Sequence, residues 1–298
     1  MNENTARQGV LCALGAYFIW GLAPAYFKLI DYVPANEILA HRILWSAVFM
    51  LVLLTLGRRW PQVRRSLRRG RLLLALALTS VLIGSNWLLF IWAVNHHHML
   101  EASLGYFINP LVNVLLGMLF LGERFRRWQW LAVVLASAGV LVQLWMFGSL
   151  PLIALGLALT FALYGLLRKK IGIDAQTGML IETLWLLPAA AVYLFFVADT
   201  PTSHLSANGW HLNTLLASAG VLTTVPLLLF TAAANRLRLS TVGFFQYLGP
   251  TLMFLLAVGF YGEALSADKL YTFAFIWLAL GVFIADALLA QRRRLQTA

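Results

Sequence analysis

Apolar residues occur in long stretches that are separated by short clusters of charged, glycine and proline residues. A helix that crosses a bilayer needs about 20 predominantly apolar residues. Ten stretches come close to or reach this length, so the sequence predicts ten transmembrane helices with mostly short connections. The predicted spans cover residues 9–30, 36–56, 72–94, 100–121, 127–147, 151–168, 177–198, 212–234, 240–261 and 270–290.

Composition agrees with this pattern and narrows the class of protein. Apolar residues make up 61% of the 298 residues and charged residues 11%, whereas soluble domains have about 45–50% and about 25%. This balance excludes a disordered chain, a coiled coil and an ordinary water-soluble enzyme. We therefore predict an all-α polytopic membrane protein.

The net charge of +11 has two interpretations. A basic patch is typical of nucleic-acid binding, and the tract 58–71 is the best candidate for one. Basic residues also accumulate in the cytoplasmic loops of membrane proteins. If the N-terminus is cytoplasmic, 19 of the 22 lysine and arginine residues lie inside and only Lys28 and Lys269 lie outside. This bias favours ten spans with both termini in the cytoplasm, and no nucleic-acid partner is expected.

The two halves of the chain resemble each other at a distance of 140 residues. Residues that coincide under this shift include Trp45 and Trp185, Phe90 and Phe230, Asn95 and Asn235, Pro110 and Pro250, and Gly122-Glu123 and Gly262-Glu263. We predict two repeats of five spans each, residues 1–148 and 149–298. Because five is odd, the second repeat is expected to enter the membrane inverted. Inverted repeats are typical of secondary transporters, whose substrate sites lie near the midplane between the repeats.

Several motifs resemble those of the EamA family of the drug/metabolite transporter superfamily. They are AYFIWGLAPAYFK at 16–28, NWLLFIWAV at 86–94, EASLGYFINP at 101–110 and RLRLS at 236–240. In both repeats, the fourth span contains a proline and ends in Gly-Glu. The resemblance covers nearly the whole chain. It implies a ten-helix, multi-pass transporter of the bacterial inner (plasma) membrane, and it does not indicate a substrate.

Two charged residues within predicted spans are candidates for transport chemistry. Arg42 lies about six residues, or roughly 9 Å, into the second span, where a charge costs at least about 2–3 kcal/mol unless it faces a partner or water. We interpret Arg42 as a contact for a substrate anion, with its neighbour His41 in a gating role. A snorkelling or structural arginine is the alternative. Glu182, at the equivalent position of the second repeat, is a candidate proton carrier; the alternative is a structural pair, for example with Arg168.

Polar residues on the fourth and ninth spans predict the wall of a cavity. In the fourth span they recur at i, i+3 and i+7, which is one face of a helix. Pro110 and Pro250 remove a backbone hydrogen bond at equivalent positions, and we expect them to contribute to gating. The alternative is a set of interhelical hydrogen bonds that only holds the bundle together. The substrate-binding candidates on these spans are Tyr106, Asn109, Asn113, Gln246 and Tyr247.

Aromatic residues near the middle of the membrane supply further candidates. Trp20 and Tyr164 are repeat equivalents at this depth, where aromatic residues are less typical than at the interfaces. With Asn86 and Trp87 of the third span they suit a pocket for an aromatic or cationic solute; plain core packing is the alternative. Glu101, at the outer end of the fourth span, is predicted to act as a helix cap or an outer gate.

The sequence has no motif for ATP hydrolysis or catalysis, such as a phosphate-binding loop, a nucleophile elbow or a zinc-binding His-Glu-x-x-His. We expect no cofactor and no metal site. The predicted function is a gradient-driven secondary transporter that exports a small organic metabolite or drug by alternating access, with a proton as the candidate coupled ion. Membrane lipids are the other expected partners, and the sequence indicates no oligomeric state. A lipid or amphipath flippase, a membrane-embedded enzyme and a non-transporting sensor are the alternatives.

Overall fold

The computed structural model describes residues 3–96, 98–203, 205–260 and 267–296. All regular secondary structure in these ranges is helical, which confirms the predicted all-α class. A short 3-10 turn, Lys28–Ile30, follows the first helix, and a π-helical turn, Tyr193–Val197, extends the eighth. The helices are α1 (Glu3–Phe27), α2 (Ala35–Leu56), α3 (Trp60–Leu67), α4 (Gly70–Asn95), α5 (Met99–Leu121), α6 (Arg127–Phe147), α7 (Leu152–Ile171), α8 (Ala175–Val192), α9 (Trp210–Arg236), α10 (Leu239–Gln246), α11 (Leu248–Gly259) and α12 (Ala267–Gln296).

Ten segments of the described ranges are long and apolar enough to cross a membrane, as predicted. Helices α10 and α11 form most of the ninth span. The short helix α3 lies in the arginine-rich tract between the second and third spans, where the sequence predicts only a connection. Pro61 is in its first turn, a position that proline suits because the backbone N–H there has no intrahelical partner.

The surface of the bundle is apolar and its interior contains polar groups. Trp145 and Phe196 are 86% and 84% exposed, and large exposed aliphatic side chains occur on most helices. Asn113, Arg168 and Glu182, in contrast, are buried. A surface of this kind is unfavourable in water and favourable in lipid, where polar groups must find partners inside the protein. The distribution therefore agrees with a multi-pass membrane protein.

Contacts between the helices pair the two halves of the chain. Helix α2 packs on α8, α5 on α10, and α6 on α12, and each of these pairs joins equivalent spans. The remaining large contacts come in matched sets: α1 packs on α9 as α7 packs on α4, and α1 packs on α11 as α7 packs on α5. Exchanging the halves maps these contacts onto one another, which supports the predicted repeat.

The two equivalent prolines have different effects on their helices. Helix α5 continues through Pro110, whereas the ninth span stops at Gln246 and restarts at Leu248. Pro250 cannot donate a backbone hydrogen bond to the Gln246 carbonyl. The sequence predicts an interruption of the helix at both prolines. Of these two equivalent helices, only the one in the second repeat is interrupted.

Candidate functional site

A cavity of about 200 Å³ lies between the two halves of the bundle. Its lining comes from the end of α1, the start of α2, the end of α4, the starts of α5 and α7, and the junction of α10 with α11. All of these segments lie at one end of the bundle, where α4 ends and α5 begins, and we call it the α4–α5 end. The opposite end, where α7 ends and α8 begins, is called the α7–α8 end. The cavity is partly open rather than fully enclosed, and Tyr106 in its lining is 38% exposed.

Arg42 provides the positive charge of this cavity. Its Nε donates to Thr223 Oγ1 of α9 at 2.7 Å. The guanidinium carbon lies 5.4 Å from the ring centre of Phe27 and 5.3 Å from that of Trp87, distances that suit cation–π contact. Within the described ranges, no carboxylate forms an ion pair with Arg42, and its Nη atoms make no hydrogen bond. The outer edge of the guanidinium is therefore free to bind an anion.

A chain of amides connects the cavity to the helices behind it. Asn109 donates to the Ala158 carbonyl at 2.8 Å, and Asn113 donates to Asn109 Oδ1 at 3.0 Å and to Gln246 Oε1 at 3.1 Å. Asn113 is itself buried and does not line the cavity. Gln246 does line it, and its Nε2 has no partner in the described part of the chain. Asn113 therefore positions Gln246, whose amide group remains available to a ligand.

Asn86 joins α4 to α7 beside the cavity. Its Nδ2 donates to the Leu157 carbonyl and to Thr160 Oγ1, both at 2.9 Å. The donors of Asn86 are thus used by the protein, and only its Oδ1 can serve a solute. Tyr106 lies nearby, with its ring edge-on to Phe90 at 6.2 Å.

Aromatic rings close the cavity toward the α7–α8 end. Trp20 packs on Phe161 at 5.9 Å and on Phe230 at 6.0 Å. Phe230 stacks on Tyr164 at 6.2 Å, and Tyr17 contacts Trp20 at 5.6 Å. Tyr164 lies beneath this cluster, outside the cavity lining. Phe161 is not among the predicted site residues, although a shift of 144 residues aligns it with Tyr17 just as it aligns Tyr164 with Trp20.

Glu182 lies buried below the aromatic rings. Its carboxylate accepts from Thr79 Oγ1 at 2.6 Å and from the Tyr164 hydroxyl at 3.3 Å. Ser80 Oγ donates to the backbone carbonyl of Glu182 at 3.2 Å. The Nε of Arg168 is 3.5 Å from Glu182 Oε1. The pairing with Arg168, which the sequence left as the alternative, is thus present in the structure.

The position of Arg168 corrects one sequence prediction. The predicted sixth span, 151–168, ends at Arg168, which is counted with the cytoplasmic basic residues, and only Arg42 is placed inside a span. Helix α7 instead continues to Ile171, and the Arg168 side chain is 0% exposed. Arg42 is therefore not the only basic residue inside a span. Three consecutive basic residues, Arg168, Lys169 and Lys170, are typical of the cytoplasmic end of a span and do not indicate that the first of them is buried. Lys169 Nζ donates to the carbonyls of Ala234, at 2.7 Å, and Leu237.

Two glutamates cap the first turns of neighbouring helices at opposite ends of the bundle. At the α4–α5 end, Glu101 accepts from the Ile153 amide at 2.7 Å. At the α7–α8 end, Glu123 accepts from the amides of Leu239 and Ser240 at 2.6 and 3.0 Å, and from the Ser240 hydroxyl. These amides begin α7 and α10, where backbone donors lack intrahelical partners. The repeat equivalents of Gly122 and Glu123, Gly262 and Glu263, lie outside the described residues.

The structure brings about half of the predicted site residues to the cavity. The residues in its lining are Trp20, Arg42, Asn86, Trp87, Tyr106, Asn109, Gln246 and Pro250. Seven candidates lie elsewhere: Asn113, Tyr164 and Glu182 as described, Glu101 as a cap, Pro110 against Gly243, and His41 and Tyr247 in buried positions. Both ring nitrogens of His41 lack partners in the described part of the chain, and the Tyr247 hydroxyl donates to the Phe107 carbonyl at 3.2 Å.

The described residues contain no group of three or more histidine, cysteine, aspartate or glutamate side chains placed to hold a metal ion. The polar side-chain groups in the cavity lining are one guanidinium, three amides, two phenols and two indole N–H groups. This set can bind an anionic or polar organic molecule between aromatic rings.

Known proteins resemble the chain in sequence and in fold. Residues 7–145 match the EamA-like transporter family. The chain is 69% identical to Protein RarD of Salmonella typhimurium over 99% of its own length and 100% of that protein. It is 59% identical to an uncharacterized transporter of Vibrio cholerae, over 97% and 96%. A solved structure described as the crystal structure of a protein has the same fold, with a TM-score of 0.73, 16% identity, and coverage of 92% of this chain and 96% of that one. The motifs, the ten spans and these relatives agree, and the chain belongs to the EamA-like transporter family of membrane transporters.

Proposed function

We propose that the protein is a secondary transporter that exports a small organic anion across the bacterial inner membrane by alternating access. The observation that carries this proposal is Arg42, a cation in an accessible cavity with no carboxylate partner in the described part of the chain. An uncompensated charge within a membrane span is unfavourable. A bound anion would neutralise it.

Size and lining narrow the substrate class. A cavity of about 150 Å³ holds benzene, so about 200 Å³ suits a solute of one ring or a short chain. Trp20, Trp87 and Phe161 offer flat apolar surfaces, and Gln246 offers an amide donor. We therefore propose a small carboxylate or similar anion with an apolar or aromatic body. A cavity of this size disfavours a lipid as the bound species.

The two ends of the bundle support the proposed mechanism. The cavity lies at the α4–α5 end, while the aromatic rings and the Glu123 cap fill the α7–α8 end. Because the helix contacts of the two halves are matched, an exchange of their conformations would close the first end and open the second. The charge bias of the loops makes the α4–α5 end the outer one, so this conformation would face outward.

We propose Glu182 as the group that couples transport to a proton gradient. It is buried and it accepts hydrogen bonds from hydroxyls on two different helices, α4 and α7. A carboxylate in this position can exist with or without a proton, and the change would alter its bonds to Thr79, Tyr164 and Arg168. Glu182→Gln is expected to bind substrate but to lose its response to an imposed pH gradient in liposomes.

Metabolite profiling identifies the substrate and the direction together. Cells that lack the protein and cells that overproduce it are compared, with solutes measured inside and outside. An exported substrate accumulates inside the deficient cells and outside the overproducing cells. A solute that moves in the opposite directions would overturn export, and no solute moving would argue against transport.

Liposome flux of that solute then tests the site. Arg42→Ala is expected to lower transport about tenfold or more because the anion loses its counter-charge. Arg42→Lys should retain part of the rate, since lysine keeps the charge and loses the planar stacking on Phe27 and Trp87. The exposed Arg65 lies outside the spans, and Arg65→Ala serves as the control. Equal rates for Arg42→Ala and Arg65→Ala would contradict the proposed site.

A further inference from the structure

Arg168 is a fully buried arginine whose hydrogen-bonding capacity is unused. None of its three side-chain nitrogens has a hydrogen-bond partner in the described part of the chain. Its only ion-pair contact there joins Nε to Glu182 Oε1 at 3.5 Å. Buried guanidinium groups normally bind their partners through several N–H groups, and the two Nη atoms form the planar fork that matches a carboxylate.

The fold makes room for this guanidinium. Gly178 of α8 lies directly against the Arg168 side chain, and a Cβ at Gly178 would overlap both Nη atoms. Thr177 Oγ1 and Gln176 Oε1, in the same turn of α8, are also buried without hydrogen-bond partners. The end of α7 and the start of α8 thus enclose a polar region with more donors and acceptors than bonds.

A small void lies beside Glu182 and Trp87. It measures about 10 Å³, close to the space of one water molecule, and its lining includes Glu182, Ser46, Thr183 and Trp87. Trp87 also lines the open cavity and stacks on Arg42. One indole therefore borders both the void beside Glu182 and the open cavity beside Arg42.

The side-chain nitrogens of the two arginines have similar surroundings. Each directs Nε to a neighbouring helix, Arg42 to Thr223 on α9 and Arg168 to Glu182 on α8. Each leaves its Nη atoms without a partner in the described ranges. Arg42 is accessible from the cavity, whereas Arg168 is sealed.

We propose that Arg168 is a second anion-binding site, which takes a carboxylate and is occupied in this conformation by the side chain of Glu182. The site lies at the α7–α8 end, which is closed in this conformation. Its use in transport rests on the proposed function, in which the α7–α8 end opens and a substrate carboxylate replaces Glu182 on the guanidinium. The capacity of Arg168 to bind a carboxylate does not depend on transport and can be measured separately.

Formate is the probe for this site. Glu182→Ala removes the tethered carboxylate and leaves space beside Arg168. In detergent, formate about tenfold above its dissociation constant is expected to raise the unfolding temperature of this variant by about 3 °C. Formamide, which has the same shape and no charge, should not raise it.

The double variant Glu182→Ala with Arg168→Met is the matched control. It lacks both charges of this site but keeps Arg42, so formate should raise its unfolding temperature less than that of Glu182→Ala. A larger rise with formate in Glu182→Ala than in the double variant would support the site. An equal rise in both variants, or no rise in either, would overturn it.

If Glu182→Ala does not fold, Glu182→Ser replaces it, because the serine hydroxyl retains a hydrogen-bonding group beside Thr79. The same comparison with formate, formamide and Arg168→Met then applies. The result is independent of the flux measurements on Arg42. A failed flux experiment with a positive formate effect would reject the transport role and keep the anion site, and the reverse result would reject only the site.

Discussion

Single charged residues show how far the sequence predicts the site. Arg42 is evident from the sequence because it is an isolated charge in an apolar stretch, and the structure places it in the cavity wall. Arg168 has the same chemistry, and the sequence names it only as a candidate structural partner of Glu182; its complete burial is not evident, because two lysines follow it and the group resembles the cytoplasmic end of a span. Its burial depends on Gly178 and Glu182 of the next helix. No local pattern reports such a contact between helices.

Gly178 gives a test of the Arg168 environment. In Gly178→Ala the added methyl group would overlap the guanidinium, and we expect a destabilisation of about 2 kcal/mol or more. The matched change is Gly281→Ala in α12, where a Cβ meets nothing within 4 Å. Alanine at an open helix position favours the helix by up to about 1 kcal/mol. Thermal unfolding in detergent should therefore move in opposite directions, and equal shifts would contradict the packing of Arg168 on Gly178.

Helices and their ends are predicted well in number and less well in their breaks and caps. The ten spans follow from hydropathy alone, since each is a run of apolar residues of bilayer length. The break at Tyr247 cannot be predicted from the presence of a proline alone, because the equivalent Pro110 leaves α5 continuous. The caps formed by Glu101 and Glu123 are also absent from any local pattern. Each glutamate is far in sequence from the helix whose first turn it caps.

The Glu123 cap is expected to keep the α7–α8 end closed. It joins the end of α5 to the start of α10, and loss of such a cap costs about 0.5–2 kcal/mol. Glu123→Ala should therefore shift the population toward a conformation that is open at this end. The readout is the rate of maleimide labelling at Ala234→Cys, a buried position beside Lys169, in a Cys12→Ser background.

Glu101→Ala provides the contrast, because it removes a cap at the opposite end. Its labelling rate at Ala234→Cys should stay the same or fall. Faster labelling in both variants would indicate general loosening rather than a contact that holds one end closed.

At the scale of the whole molecule, the charge bias predicts orientation. Nearly all basic residues fall on the connections at one side of the ten spans, and positive loops remain in the cytoplasm. Alkaline phosphatase, which is active only outside the cytoplasm, should be active when inserted after Pro34 and inactive when fused to the C-terminus. A green fluorescent protein at the C-terminus should fluoresce. The opposite result would reverse the orientation and with it the proposed direction of the cavity.

The two halves meet at Tyr247, and here they are unequal. Its hydroxyl donates to the carbonyl of Phe107, which is its own equivalent 140 residues earlier. If the halves exchange conformations, the reciprocal bond has to come from Phe107, and phenylalanine has no hydroxyl. One hydrogen bond is worth about 0.5–1.5 kcal/mol. The protein without substrate is therefore expected to favour the conformation described here over the exchanged one by about this free energy. Tyr247→Phe should make the two resting states more nearly equal, with labelling at Ala234→Cys about two- to tenfold faster; an unchanged rate would show that the bond does not set the balance.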